Sequence, residues 1–215
     1  MFIDKYFYAL APAAFDNRKE ITNVLTRLLN KYSAPHRHYH NLNHLESGLQ
    51  VYFSLYNEID PTDFFAWAYH DVIYHPLDSD NENKSAGYFL KDAATLGFKQ
   101  WEITDLITDK ILETAHTSEE NNSLVNDIDL SVLGMDQNQY NHYADLIHQE
   151  YVPPLSEEAF TLGRLQVLER FNTKSFIFSE SKFRDKFESQ AHMNISAEIT
   201  KLKLKKEGYD EKRGM

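Results

Sequence analysis

The segment AWAYHDVIYHP ends an apolar run on an adjacent histidine and carboxylate, His70 and Asp71, and both side chains can bind a metal ion. Neighbouring side chains diverge along a helix or a strand, so the pair can share one ion only at the end of an element, at the bottom of a cleft, with partners from other segments. Partners exist on both sides. Upstream, HRHYHNLNHLE crowds His36, His38, His40 and His44 into nine positions. Downstream, VNDIDLSVLG carries Asp127 and Asp129 among apolar residues, where an unpaired buried carboxylate would be costly and a divalent cation would offset that cost. His44 and Asp129 are the natural candidates to join the pair in a dispersed histidine and aspartate site. Each residue also has an ordinary structural reading: capping or core hydrogen bonding for His70 and Asp71, a helix start for His44, and a cap of the DLSVL element for Asp127 or Asp129, with Asp127 the better fit to that role.

The elements that must carry these residues read as helices. Residues 16–31 place Ile21, Val24, Leu25, Leu28 and Leu29 at helical spacing, and Pro35 ends that stretch. A second helix is predicted to start with Asn43 as N-cap and Glu46 three residues later, which puts His44 in its first turn. Asp60-Pro61 marks a third start, with proline at the first helical position, running to about Asp71 or Val72. Further helices are predicted over 81–94, 100–115, 136–151, 156–172, 179–190 and 194–206, with a loop near Ser118–Ser123. The short segments IDLSVL and VIY fit helix or strand.

Composition narrows the function classes. With 215 residues, of which 42% are apolar, the chain can bury a full core. An excess of 33 acidic over 22 basic side chains, a formal charge of -11, argues against binding bulk nucleic acid through a broad basic face. There is no cysteine, so any protein ligands to a metal must be nitrogen or oxygen. Asp4 and Lys5 interrupt the apolar amino terminus, unlike a secretory signal, and no stretch reaches transmembrane length. A cytoplasmic protein without membrane partners is therefore expected.

Taken together, YSAPHRHYHNLNHLE, AWAYHDVIYHPLDSDNENKSA, TAHT, DIDLSVLG and RLQVLERFNTKSFIFSESKFRDKFESQAHMN resemble the HD superfamily, in particular its branch of predicted metal-dependent HD phosphohydrolases. The similarity covers most of residues 24–200. It implies an all-α, HD-domain-like helical bundle with a metal cleft, in a single domain over 1–215 whose C-terminal helices, about 156–206, pack on or extend the core. It makes His44, His70, Asp71 and Asp129 the preferred ligands of a divalent cation. His40 competes with His44, and the following Leu45 favours His44. Some relatives add two histidines to build a dinuclear centre. His75 and His116 fall in that interval, but His75 follows Asp71 too closely, so one ion is favoured and His116 is expected to orient water or contact substrate. The resemblance also raises Glu82 as a proton carrier or orienting group, alongside its plain role as a carboxylate in a first helical turn. Relatives tend to carry Ala-Arg-x-Asn where this chain has Ala191-His192-Met193-Asn194, so His192 is either a weaker, proton-dependent substitute for that arginine or a tolerated surface change.

The activity implied is metal-assisted hydrolysis of a phosphate ester in a nucleotide or small phosphorylated metabolite. Asp71 would help position water, and His116 or Glu82 would handle a proton. The directed donors of Arg37 suit nonreacting phosphate oxygens, and equally an ion pair with an acidic helix. Two imidazoles with two carboxylates suit Mn, Fe, Co, Ni or Zn, whereas Mg more often takes oxygen-rich sites. The alternative is a noncatalytic HD module that binds a nucleotide or a partner protein and uses its metal for structure. Oligomeric state is not specified.

Overall fold

A helix that is apolar on all sides belongs at the centre of a bundle, and Pro61–Tyr69 is such a helix: every residue from Phe64 to Tyr69 is buried. In the computed structural model the chain forms ten α-helices and one 3-10 helix among the described residues, 1–13, 16–116 and 123–213. No strand occurs among them, so the expected all-α class holds. Residues 118–122 of the expected loop, and Thr117 of TAHT, lie outside them. The contacts divide the chain into two compact units, residues 1–129 and 130–215.

The first unit contains α1 (Phe2–Leu10), α2 (Arg18–Tyr32), α3 (Leu42–Phe53), α4 (Pro61–Tyr69), α5 (Asn81–Leu96) and α6 (Trp101–Glu113), with α7 (Leu124–Leu130) at its end. α4 packs against α1, α5 and α6, and α2 packs against α5. The Asp60-Pro61 start holds as expected: the Asp60 carboxylate accepts from the Thr62 N–H at 2.8 Å. The start of α3 differs. Its cap is Asn41, which accepts from Asn43 N–H at 2.8 Å, two residues earlier than the capping-box spacing predicts. Glu46 serves another helix instead, because its two oxygens accept from the Phe2 and Ile3 N–H groups at 2.8 and 2.9 Å and close the start of α1. The VIY segment is irregular, and IDLSVL divides between α7 and the 3-10 helix Ser131–Gly134.

The second unit contains that 3-10 helix, α8 (Gln137–Tyr151), α9 (Glu157–Thr173) and α10 (Ser181–Arg213). α10 packs along α9 and on the 3-10 helix. It replaces the two helices expected over 179–190 and 194–206 with one continuous rod. Asn194, which reads as a break in sequence, turns its amide outward from its own backbone and donates to the Leu133 and Met135 carbonyls at 2.8 Å each. An internal ion pair, Arg164 Nε to Glu198 Oε1 at 2.9 Å, is completed by the Tyr140 hydroxyl donating to Glu198 at 2.5 Å. No helix among the described residues is long and apolar enough to cross a membrane.

Candidate metal centre

His44 lies in the first turn of α3, His70 caps the C-terminal end of α4, and Asp129 is the penultimate residue of α7, so three helices each deliver one side chain. Their donor atoms converge, all within 4.8 Å of one another. His44 Nε2 is 3.2 Å from His70 Nε2 and 3.3 Å from Asp129 Oδ1, while His70 Nε2 to Asp129 Oδ1 is 3.9 Å. Ligands about 2.0–2.1 Å from one ion stand about 2.8–3.4 Å apart, from neighbouring octahedral to tetrahedral positions, so two of the three separations already match a shared cation. Asp71 stands beside this triad, with Oδ2 at 3.1 Å from His70 Nε2.

The surroundings fix which nitrogens face inward. His70 Nδ1 lies 2.7 Å from the Trp67 carbonyl one helical turn earlier, which assigns the Nδ1 proton as donor and leaves Nε2 turned toward His44. The Trp67 indole stacks on the His70 ring at 4.5 Å with planes 17° apart, lies 4.9 Å from the His44 ring, and donates from Nε1 to the Leu45 carbonyl at 3.1 Å. That close approach requires Gly48: a Cβ there would sit 2.2 Å from Trp67 Cζ2 and 2.8 Å from Ile128 Cγ2. The histidines are sealed, with side chains 3% and 1% exposed, whereas Asp71, Asp129 and His116 keep 13%, 19% and 15%.

The charges are arranged against burial. Burial disfavours an imidazolium at His70, but the adjacent Asp71 carboxylate, by its charge and hydrogen bond, raises the pKa to about 9. Burial likewise disfavours ionised Asp71, and the same partner holds its carboxyl below the usual range. His44 goes the other way, lowered chiefly by burial. Burial opposes the Asp129 carboxylate too, yet hydrogen bonds from His116 and His44 keep it well below the usual range. Two imidazole nitrogens in contact, flanked by two carboxylates, form a donor set that fits a divalent cation.

The remaining candidates are placed as follows. His116 follows α6 with a φ of 52°, a left-handed conformation unusual for a residue with a Cβ, and its Nε2 is 3.0 Å from Asp129 Oδ2. It thus takes the second oxygen of the carboxylate whose first oxygen faces His44. His40 stacks on Tyr74 at 4.1 Å and sits edge-on to His44 at 5.7 Å, outside the converging triad. His75 is held through its backbone, its N–H donating to Asn81 Oδ1 at 3.0 Å and its carbonyl accepting from Asn81 Nδ2 at 2.9 Å. Glu82 occupies the first turn of α5, and no hydrogen bond joins it to the triad among the described residues. Arg37 is buried, 7% exposed, and donates to the carbonyls of His40, Asp71 and Val72. In the second unit His192 pairs with Glu188 at 3.1 Å.

Several supporting residues are not evident from sequence. Tyr32 accepts the Asp71 N–H at 3.2 Å, and Ser85 both donates to the Ile73 carbonyl and accepts its N–H, each at 3.1 Å. Asn81 and Ser85 are buried polar residues four apart on α5, and that spacing, on a face shared with Ala86, Phe89 and the buried Asp92, is their only signature. The fold and the centre thus define an all-α chain with a His44, His70 and Asp129 cluster able to coordinate a metal ion. Compared with known proteins, the chain matches no protein-family model, no curated protein and no solved structure.

Proposed function

We propose that the chain is a metal-dependent phosphohydrolase of the HD type that its sequence resembles, acting on a nucleotide or another small phosphorylated metabolite. The observation that carries the reading is the convergence of His44, His70 and Asp129 within 4.8 Å from three separate helices. Asp71, next to His70, is the fourth ligand in this reading. A divalent cation held there would lower the pKa of a water and stabilise charge developing on phosphorus. The chain's own residues do the rest. His70 is held in one tautomer by the Trp67 carbonyl. Asp129 divides its oxygens between His44 and His116, and in this reading His116, at the partly exposed edge of the site, handles the proton. Substrate would enter where Asp71, Asp129 and His116 keep their exposure, since the histidines of the triad are closed to solvent.

The test is a panel of phosphate esters, mononucleotides, cyclic nucleotides and nucleoside triphosphates, assayed after chelation and reloading with Mn, Fe, Co, Ni, Zn or Mg. Turnover that appears with metal and is lost in His70→Ala is expected. One tightly bound ion with no turnover on any ester would leave the noncatalytic binding module as the function. No bound ion under any loading would remove the metal reading altogether.

A further inference from the structure

Arg37 is a buried cation that no carboxylate hydrogen-bonds or pairs with among the described residues, so backbone carbonyls and aromatic rings must offset the cost of its burial. Nη1 donates to the His40 carbonyl at 2.9 Å and the Asp71 carbonyl at 2.7 Å, and Nη2 donates to the Val72 carbonyl at 3.2 Å. Its Nε is buried without a hydrogen-bond partner. The guanidinium lies over the Tyr32 ring at 4.9 Å and the Tyr74 ring at 5.5 Å, so two aromatic faces replace part of its lost hydration. Tyr32 adds a contact of its own, accepting the Asp71 N–H at 3.2 Å. The Asp71 backbone is therefore held at both of its polar groups, its N–H by Tyr32 and its carbonyl by Arg37.

We propose that Arg37, together with Tyr32, is a positioning residue for the metal centre: it ties the irregular segment after α4 to the loop before α3 and so fixes the Asp71 carboxylate against His70. This rests on the metal-centre reading above, and it gives Arg37 a task other than binding phosphate. A planar fork suits the task because it spans two consecutive carbonyls, at 71 and 72, while reaching a third at 40. A lysine, as a point charge on a flexible stem, cannot hold all three. The same grip connects the two histidine-bearing regions, because the His40 carbonyl lies four residues before His44 and shares Nη1 with Asp71.

The experiment is a Co(II) titration of the full chain, read by the visible absorption of the bound ion and by competition with a chelator, alongside circular dichroism and thermal melting. Wild type, Arg37→Met, Arg37→Lys and Tyr32→Phe are compared. Removing an orienting partner of a metal site costs about 10- to 100-fold in affinity, so Arg37→Met is expected to fall in that range with an altered Co(II) spectrum. Arg37→Lys should recover part of the loss, and Tyr32→Phe, which removes one acceptor, should lose about 2- to 10-fold. If Arg37→Met fails to fold, Arg37→Lys and Tyr32→Phe carry the test. Lower melting temperatures with wild-type affinity and spectrum would make Arg37 a stabilising residue only and overturn the proposal. A wild type that binds no Co(II) would instead overturn the metal-centre reading itself, so the two failures are distinct.

Discussion

Gly48→Ala is a one-methyl change that presses on the candidate metal centre without altering His44, His70 or Asp129. Glycine to alanine inside a helix ordinarily stabilises by about 0.8–1.0 kcal/mol through propensity. At Gly48 the added methyl would meet the indole of Trp67 at 2.2 Å and Ile128 at 2.8 Å, and the indole is fully buried. Overpacking of a closed core costs about 1–3 kcal/mol, and a contact this short belongs at the upper end of that range. The propensity gain offsets part of it, leaving a net loss of roughly 1–2 kcal/mol. Because Trp67 carries the His70 acceptor and stacks on that ring, the displacement should also weaken metal binding by about tenfold or more. Urea denaturation gives the first quantity and Co(II) competition the second. Gly163→Ala, on α9 where a new Cβ meets nothing within 4 Å, is the control and should be stabilising. Trp67→Phe in the Gly48→Ala background should recover part of the loss, as expected of residues in contact. If Gly48→Ala matched the Gly163→Ala gain and bound Co(II) like wild type, the steric account of the Trp67 wall would be wrong.

Two further outcomes follow from the charges. In the metal-free protein His70 has its pKa raised to about 9, above the usual unfolded value near 6.5, so its pair with Asp71 is fully stabilising below about pH 6.5 and is lost as pH rises through about 9. A cation needs the neutral ring, so binding between those limits should release a proton, read by calorimetry in buffers of different ionisation enthalpy; no release at pH 7.5 would contradict the charge state assigned to His70. In the second unit, Arg164→Met leaves Glu198 inside with only Tyr140 and should cost about 3–5 kcal/mol in urea denaturation, whereas Arg164→Met with Glu198→Leu should cost clearly less. Equal costs would mean that the pair is not buried as described.

What sequence discloses depends on whether the signal is local. Asp60-Pro61 and the apolar stripe of α2 are set by neighbours in the chain, and they appear where expected. His44, His70 and Asp129 were legible because metal-binding side chains stood beside apolar residues. Asn41 and Asn43 are equally good cap residues two apart in sequence, and the choice is made by chain geometry that also sends the Asn41 amide to the His38 carbonyl at 2.8 Å. The spacing of Glu46 from Asn43 suggests a cap of α3, whereas its partners, Phe2 and Ile3, are more than forty residues away in sequence. Arg37 shows the same limit. A guanidinium has identical donors whether it meets phosphate or backbone carbonyls, and only the fold brings the carbonyls of 40, 71 and 72 to one place.

The placing of Trp67 has an optical consequence. The chain has two tryptophans, and they stand in opposite surroundings: Trp67 fully enclosed, Trp101 69% exposed. Their fluorescence therefore separates by wavelength, with a blue component from Trp67 and a red one, open to soluble quenchers, from Trp101. The enclosed indole lies within 5 Å of both histidine rings, so an open-shell cation bound between them would quench the blue component and leave the red as an internal reference. Occupancy of the centre can thus be followed in the native chain, without a label and without knowing its substrate.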